Sequence, residues 1–479
     1  MPKRLSEHVF GDVYSKGFRK TVLDCVIPLC FFIVIASFQA AAFMTNTGPL
    51  TSPDPDLHAG TSYALATGQI LNATRTDWDR YGNRVKAQPI TGDSRYLHLI
   101  GSSNSLVASI LSRPTKVDPQ WSAQMSADSQ PVSTVTVPTE RFKNRSNQYF
   151  PLMYLPQAVG IRIGLFAGFL PHRVWQLGRL SNFAFFVVCF GIAIVMVPRG
   201  KLFLTILGCL PPVVFIASSL MSDSFVLCMS TLFVAMVLHV ADQVDTSKTG
   251  VTVTLILLCL LLFLSKEVYV LAAFLVFLIP NKILPLPRKI LVTAVSALIA
   301  LPLFISWSLN FQGNLAIANI AVNERYVLHH PLFTLALIVH NIFILPQTVS
   351  KMDVFTQNTV IYSTIAWIVL IIAGIIGRLR RFIVQGVYLR YPFAALPIGV
   401  MILGLIFLNL LLTWNTVPHM HTGGSISGFQ GRYILPILPL LLCTVCLIPK
   451  HRGKVDGIGN DQIPLPSNET LHAPSARNS

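Results

Sequence analysis

Apolar runs long enough to cross a membrane recur along this chain and constrain its fold more than any other feature. Between Val22 and Ile448, runs of about 15–22 mostly apolar residues alternate with short polar breaks, and about 20 such residues cross a bilayer. Hydrophobic residues make up 53% of the sequence and charged residues 12%, which is about half the charge of a soluble chain. Helices satisfy their own backbone hydrogen bonds in lipid. The sequence therefore predicts an all-α polytopic membrane protein.

The placement of the basic residues predicts which side of the membrane each loop occupies. A formal net charge of +16 would suit a nucleic-acid partner, but these charges collect in short loops and near the termini, as they do on a cytoplasmic face. They fall at 3–20, 199–201, 282–289, 378–390 and 450–454. The expected partner is therefore the lipid bilayer of the cell membrane, with no nucleic acid.

This charge bias predicts three regions: a cytoplasmic N-terminus at 1–21, a membrane domain at 22–448 and a disordered cytoplasmic tail at 449–479. Loop 45–150 is extracytoplasmic, and its part 112–148 is expected to be irregular. About ten crossings follow, at 22–44, 178–197, 202–220, 225–240, 251–265, 267–279, 290–309, 359–376, 392–413 and 433–448.

Two apolar segments, 151–170 and 331–349, are interrupted by polar residues and proline. We expect them to be re-entrant or interfacial, because counting either as a crossing would move basic loops outside. The alternative, in which both cross, has about twelve transmembrane helices.

The first polar break carries a carboxylate pair. Asp54 and Asp56 flank Pro55 just after the first apolar run, and His58 follows. Paired carboxylates near a bilayer surface can act as a general base or hold a divalent metal ion. A turn followed by a helix N-cap is the structural alternative. No other cofactor is indicated.

Two further breaks carry ionisable residues between apolar runs. Asp223 lies in the sequence Ser-Asp-Ser, and Lys266 is followed by Glu267. Solvated turns between helices would explain both breaks. Ionisable groups at membrane depth are nevertheless costly and often functional. We therefore expect Lys266 to bind a phosphate and Glu267 to form an ion pair with Lys266.

A fourth break, Gln430-Gly431-Arg432, opens the last apolar run. A helix N-terminus combined with a guanidinium group forms a cradle for phosphate or pyrophosphate. The alternative is an arginine that extends to the lipid headgroups. The predicted topology places all four polar breaks on the extracytoplasmic face, so their side chains are expected to converge on one site.

Five motifs resemble a known family. They are SPDPDLHAGTSYALATG (Ser52–Gly68), YFPLMYLPQAVGIRIG (Tyr149–Gly164), MSDS (Met221–Ser224), KEVY (Lys266–Tyr269) and FQGRYILPILP (Phe429–Pro439). In order and spacing they resemble the bacterial multi-pass proteins grouped as domain of unknown function 2142, a group similar to the GT-C glycosyltransferases. That family usually has Pro-Asp-Glu and then His in the first loop. Here Pro55 replaces the Glu, and Asp56 follows one position later.

The resemblance implies a GT-C-like fold and a function. The protein would transfer a sugar from a polyprenyl-phosphate carrier to a cell-envelope glycan. Asp54 with Asp56 would deprotonate the acceptor hydroxyl, and Arg432 and Lys266 would hold the donor phosphate. The substrate-binding set is completed by His58, Asp223, Glu267 and Gln430. The alternatives are a transporter or flippase for lipid-linked saccharides, and a non-catalytic scaffold.

Overall fold

The computed structural model describes residues 22–46, 50, 55–78, 84–93, 96–97, 100, 139–144, 149–242, 248–311, 319–345 and 390–445. Within these ranges the chain is mostly helical, as the apolar runs predict. The expected crossing at 359–376 and the C-terminal tail lie outside the described residues.

The α-helices are α1 (Ile27–Asn46, after a π-helical turn at Val22–Val26), α2 (Pro55–Ala66), α3 (Leu155–Phe166), α4 (Pro171–Met196), α5 (Lys201–Gly208), α6 (Pro211–Ala217), α7 (Asp223–Asp242), α8 (Lys248–Phe263), α9 (Leu286–Asn310), α10 (Ile320–His329), α11 (Pro331–Phe343), α12 (Arg390–Trp414) and α13 (Leu442–Val445). The 3₁₀ helices are Gln69–Leu71, Pro151–Tyr154, Glu267–Leu278, Val417–His419, Gly431–Tyr433 and Leu435–Leu441.

Five helices of the described chain are long and apolar enough to span a membrane. They lie at Asp24–Asn46, Pro171–Met196, Asp223–Asp242, Leu286–Asn310 and Phe393–Trp414. Helices α10 and α11 would add a sixth span if they count as one, although they meet at an angle of 104°. These helices confirm a multi-pass membrane protein, and the total of about ten crossings stays a prediction.

The crossing expected at 202–220 is not one helix. It is divided into α5 and α6, which are 8 and 7 residues long. Pro211 and Pro212 begin α6, and because proline has no backbone N–H, they cannot continue the hydrogen-bond ladder of α5. The prediction of one continuous crossing helix is therefore wrong here, because the prolines divide the apolar run into two short helices.

The loop between α2 and α3 contains a small antiparallel sheet, which the all-α prediction missed. Strands β1 (Arg75–Trp78), β2 (Arg84–Asp93) and β3 (Thr139–Asn144) lie in the order β1-β2-β3. Strand β3 falls inside the stretch that was expected to be irregular, so that expectation is wrong for 139–144. It pairs with β2 from Gln88↔Asn144 to Asp93↔Thr139, and such long-range pairing leaves no local sequence signal.

Helix α7 lies at the centre of the bundle. All but three of its 20 residues are buried, as expected for a helix that is apolar on every side. Around it pack α4, α8 and the 3₁₀ helices Glu267–Leu278 and Leu435–Leu441. The first residue of α7 is Asp223, so this arrangement holds a carboxylate at one end of the bundle core.

Helices α3 and α4 approach each other closely through glycine. A Cβ atom added at Gly160 would lie 2.1 Å from the backbone oxygen of Leu177, so only glycine fits without movement of the helices. Small residues allow this kind of backbone approach in membrane proteins. One residue of α3, Gln157, also donates from Nε2 to the Met221 carbonyl at 3.0 Å. The Gln157 contact places the start of α3 beside the start of α7, and the preceding 3₁₀ helix Pro151–Tyr154 also packs against α7.

Candidate functional site

Asp223 begins α7 and is completely buried. Its neighbours Ser222 and Ser224 are buried as well, so the Ser-Asp-Ser segment is not the solvated turn that the sequence also allowed. A carboxylate in the first turn is favoured by the positive end of the helix dipole. A charge at this depth nevertheless needs partners of opposite sign.

Two cations supply those partners. The Lys266 Nζ atom lies 2.6 Å from Asp223 Oδ1, and the Arg432 Nε atom lies 3.5 Å from Asp223 Oδ2. Only 8% of the Lys266 side chain and 10% of the Arg432 side chain are exposed. A buried lysine and a largely buried arginine thus share one buried carboxylate, and the three groups together carry a net charge of +1. We call these three residues the charge cluster.

Tyrosine rings surround the cations of the charge cluster. Lys266 Nζ lies 4.9 Å from the ring centroid of Tyr149 and 5.2 Å from that of Tyr433, and Arg432 Cζ lies 5.6 Å from the Tyr433 ring. These are cation–π distances. Burial raises the pKa of Tyr149 to about 12, so its phenol is neutral near pH 7. Tyr269 donates its hydroxyl to the Tyr433 carbonyl at 2.8 Å, which ties together the segments that carry the two cations.

Both cations lie at the start of 3₁₀ segments. Lys266 immediately precedes the 3₁₀ helix Glu267–Leu278, and Arg432 lies within the three-residue turn Gly431–Tyr433. The expectation that Gln430, Gly431 and Arg432 open an α-helix is therefore wrong. Prolines in the next 3₁₀ segment, Leu435–Leu441, lack the N–H groups that an α-helix would need there. The guanidinium group is present at the site, but an α-helical N-terminus is not.

His58 reaches the same region from α2. Its side chain is buried, and its Nδ1 atom lies 3.3 Å from the Tyr154 hydroxyl. The 3₁₀ helix that ends at Tyr154 in turn packs against α7, the helix that begins at Asp223. The structure therefore brings four of the expected site residues together, namely His58, Asp223, Lys266 and Arg432.

The other expected site residues are placed differently. Asp54 lies outside the described residues. Asp56 lies in the first turn of α2, two residues before His58, and its side chain lies outside the described part of the structure. Glu267 is exposed, and Lys266 pairs with Asp223 instead of with Glu267. Gln430 is half-buried at the entrance to the Arg432 turn.

No role was predicted for the tyrosines at the site. Tyr149, Tyr154 and Tyr433 each lie within a motif that carries the family resemblance, and that position was the only sequence signal that could have found them. Among the described residues, no three His, Cys, Asp or Glu side chains form a metal-binding group. The side chains of Asp54 and Asp56, where a metal ion was considered, fall outside that set.

The family described as "predicted membrane protein (DUF2142)" matches residues 37–441 of this chain. The matched range includes the charge cluster and His58. No curated protein and no solved structure matches the chain.

Proposed function

Because the chain belongs to the DUF2142 family of predicted membrane proteins, its substrate is expected to be accessible from the membrane. We propose that the protein is a GT-C-like glycosyltransferase, which transfers a sugar from a polyprenyl-phosphate carrier to a glycan of the cell envelope. The observation that carries this proposal is the charge cluster, in which one buried carboxylate is shared by a buried lysine and a largely buried arginine.

The charge of the cluster suits a sugar carried on a single phosphate. Lys266 and Arg432 contribute two positive charges and Asp223 one negative charge, which leaves +1 for a ligand. A phosphodiester between a sugar and a polyprenol carries one negative charge. Arginine and lysine are the side chains that bind such groups. Without the lipid, Asp223 neutralises part of the positive charge and holds both cations in place.

The same groups support a transfer step. An acceptor hydroxyl attacks the anomeric carbon of the sugar, and the bond between that carbon and the phosphate oxygen breaks. The hydroxyl proton passes to the carboxylate of Asp54 or Asp56, as a general base. The departing polyprenyl phosphate gains one negative charge. Lys266 and Arg432 stabilise that charge as it develops, which is the interaction that accelerates a reaction.

The proposal includes a membrane topology. The chain crosses the cell membrane about ten times, both termini lie in the cytoplasm, and the site lies at the extracytoplasmic face. Support comes from the two ends of α7, which are about 30 Å apart, close to the thickness of the hydrocarbon core. The charge cluster lies at the first end. Near the other end, Asp242 pairs with Arg199 at 2.6 Å, and Arg199 belongs to a basic loop that the positive-inside pattern assigns to the cytoplasm.

The end of α1 also lies on the side of the charge cluster. Arg179 donates from Nη2 to the Phe43 carbonyl at 3.3 Å and from Nε to the Ser218 carbonyl at 2.7 Å. Phe43 is near the C-terminal end of α1, and Ser218 lies five residues before Asp223. Since the next helix, α2, carries Asp56 and His58, this packing supports a carboxylate pair close to the charge cluster.

The test is a transfer assay with purified protein in detergent, where no second compartment exists. Wild-type protein is expected to move radiolabelled sugar from a polyprenyl-phosphate donor to an envelope glycan fraction. The double variant Asp54→Asn with Asp56→Asn is expected to lose at least about 100-fold in rate, the lower end of general-base effects. Glu324→Gln removes an exposed carboxylate of α10 and serves as the matched control.

Full transfer activity in the double variant would refute the assignment of the base. If the wild-type protein binds the carrier but transfers no sugar, the glycosyltransferase proposal fails, and the transporter or scaffold alternative takes its place.

A further inference from the structure

Three buried asparagines surround the loop between α12 and Arg432. Asn323 lies in α10, Asn341 in α11 and Asn415 directly after α12. Their exposed fractions are 2%, 3% and 8%. A buried amide without hydrogen-bond partners is costly. The partners of each asparagine therefore show which part of the loop it holds.

Asn341 holds the middle of the loop with both ends of its amide. Its Nδ2 atom donates to the Gly424 carbonyl at 2.9 Å, and its Oδ1 atom accepts the backbone N–H of Ile426 at 2.9 Å. Nδ2 also donates to the Leu337 carbonyl of its own helix at 2.8 Å. The loop is therefore fixed to α11 by two hydrogen bonds, one that a loop carbonyl accepts and one that a loop N–H donates.

Asn323 and Asn415 hold the two ends of the same loop. Asn323 Nδ2 donates to the Asn415 carbonyl at 2.6 Å, and Asn323 Oδ1 accepts the backbone N–H of Val417 at 3.1 Å. Asn415 Oδ1 accepts the backbone N–H of Ser427 at 3.0 Å. The start and the end of the loop are thereby joined to each other and to α10.

The chain beyond this loop leads directly to the charge cluster. Gly428 has a φ of +88°, and a Cβ atom there would lie 3.0 Å from the Trp414 ring, so this turn requires glycine. Phe429 then stacks on Phe407 with ring centroids 4.8 Å apart. Arg432 follows three residues later. Only four residues, 428–431, separate the hydrogen bond at Ser427 from Arg432.

We infer that Asn323, Asn341 and Asn415 are positioning residues, which hold Arg432 in the orientation that binds the phosphate of the carrier lipid. Apolar anchors would also stabilise a loop, but they would not fix its direction, whereas satisfied amide networks specify one geometry. The inference assigns a role to α10 and α11, the bent pair that the proposed function does not otherwise use. It rests on the proposed function, in which Arg432 binds the donor phosphate.

The test is a double-mutant cycle on binding of a defined probe, polyprenyl monophosphate, to the purified full-length protein in detergent. Asn341→Ala is expected to weaken binding about tenfold in the wild-type background, which equals a coupling energy of about 1.4 kcal/mol. In the Arg432→Ala background it is expected to have no further effect. Asn310→Ala removes an exposed amide that donates to the Ser306 carbonyl of its own helix, α9, and is expected to leave binding unchanged.

The outcomes distinguish the inference from the proposed function. Equal tenfold losses in both backgrounds would mean that Asn341 does not act through Arg432, which overturns the inference. Wild-type binding by Asn341→Ala would overturn it too. Wild-type binding by Arg432→Ala would instead refute the proposed function and the inference with it. If Asn341→Ala does not fold, Asn341→Ser is used in its place, because its hydroxyl keeps a partner within the helix but is too short to reach the loop.

Discussion

Replacing Asp223 by asparagine is expected to destabilise the free protein and, at the same time, to strengthen its binding of a phosphate anion. The carboxylate lies 2.6 Å from Lys266 Nζ and 3.5 Å from Arg432 Nε. At an effective dielectric constant of about 20, these pairs attract by about 6 and about 5 kcal/mol. Much of that attraction offsets the cost of burying the three charges. Leaving the buried Lys266 and the largely buried Arg432 without a carboxylate is expected to cost about 3–5 kcal/mol of folding free energy.

The two effects separate in a thermal melt in detergent. At about 2 °C per kcal/mol for a chain of this size, the Asp223→Asn variant is expected to melt roughly 6–10 °C below wild type. Polyprenyl monophosphate stabilises the folded state by mass action. The variant site has a net charge of +2 instead of +1, so the added lipid is expected to raise its melting temperature more than that of wild type.

An exposed carboxylate provides the matched control, and Glu324→Gln is expected to melt like wild type with and without the lipid. The reasoning is refuted if Asp223→Asn melts like wild type, since the buried cations would then not need the carboxylate. It is refuted equally if the lipid stabilises the variant less than wild type, since the phosphate would then not bind to these cations.

Further predictions concern packing, pH and sidedness. A Cβ at Gly160 would lie 2.1 Å from a backbone oxygen of α4. In a thermal melt, Gly160→Ala is therefore expected to lose at least the roughly 1–3 kcal/mol of stability that overpacking costs. Gly404→Ala is the control and is expected to be tolerated, because a Cβ there would have no neighbouring atom closer than 4.0 Å. With a pKa of about 12, Tyr149 stays protonated from pH 6 to 9. The pH profiles of lipid-phosphate binding by Tyr149→Phe and by wild type are therefore expected to overlay. An inflection that is present in wild type and lost in the variant would contradict this. A membrane-impermeant maleimide applied to intact cells is expected to label both Asp54→Cys and Ser425→Cys, and labelling of only one of them would contradict the common face.

Much of the fold follows from local sequence signals. The long apolar runs predicted the helices at Asp24–Asn46, Pro171–Met196 and Asp223–Asp242, because an uninterrupted run in lipid has to be helical. The apolar run at 202–220 forms two helices instead of one, because Pro211 and Pro212 lack the N–H groups that a continuous helix needs. Strand β3 depends on pairing with β2 across many residues, and no local pattern contains that information.

The site was predictable in its charges but not in its pairing. Asp223 and Lys266 stood out because ionisable groups among apolar runs are costly, and Arg432 because a guanidinium group suits a phosphate. Lys266 was expected to pair with its neighbour Glu267, but it pairs with Asp223, 43 residues away in the chain. That pairing depends on how the 3₁₀ helix Glu267–Leu278 packs against α7, which is a tertiary property. The tyrosine rings around the cations depend on the same packing.

The most direct test of the central claim compares two lipids that differ only in the phosphate. Polyprenyl monophosphate and unphosphorylated polyprenol are titrated against wild-type protein and against the double variant Lys266→Gln with Arg432→Gln. If the charge cluster binds the phosphate, wild type prefers the phosphorylated lipid by at least about tenfold, or about 1.4 kcal/mol. The double variant loses this preference, and its affinity for polyprenol is unchanged. Equal binding of the two lipids by wild type, or an undiminished preference in the double variant, would contradict the account.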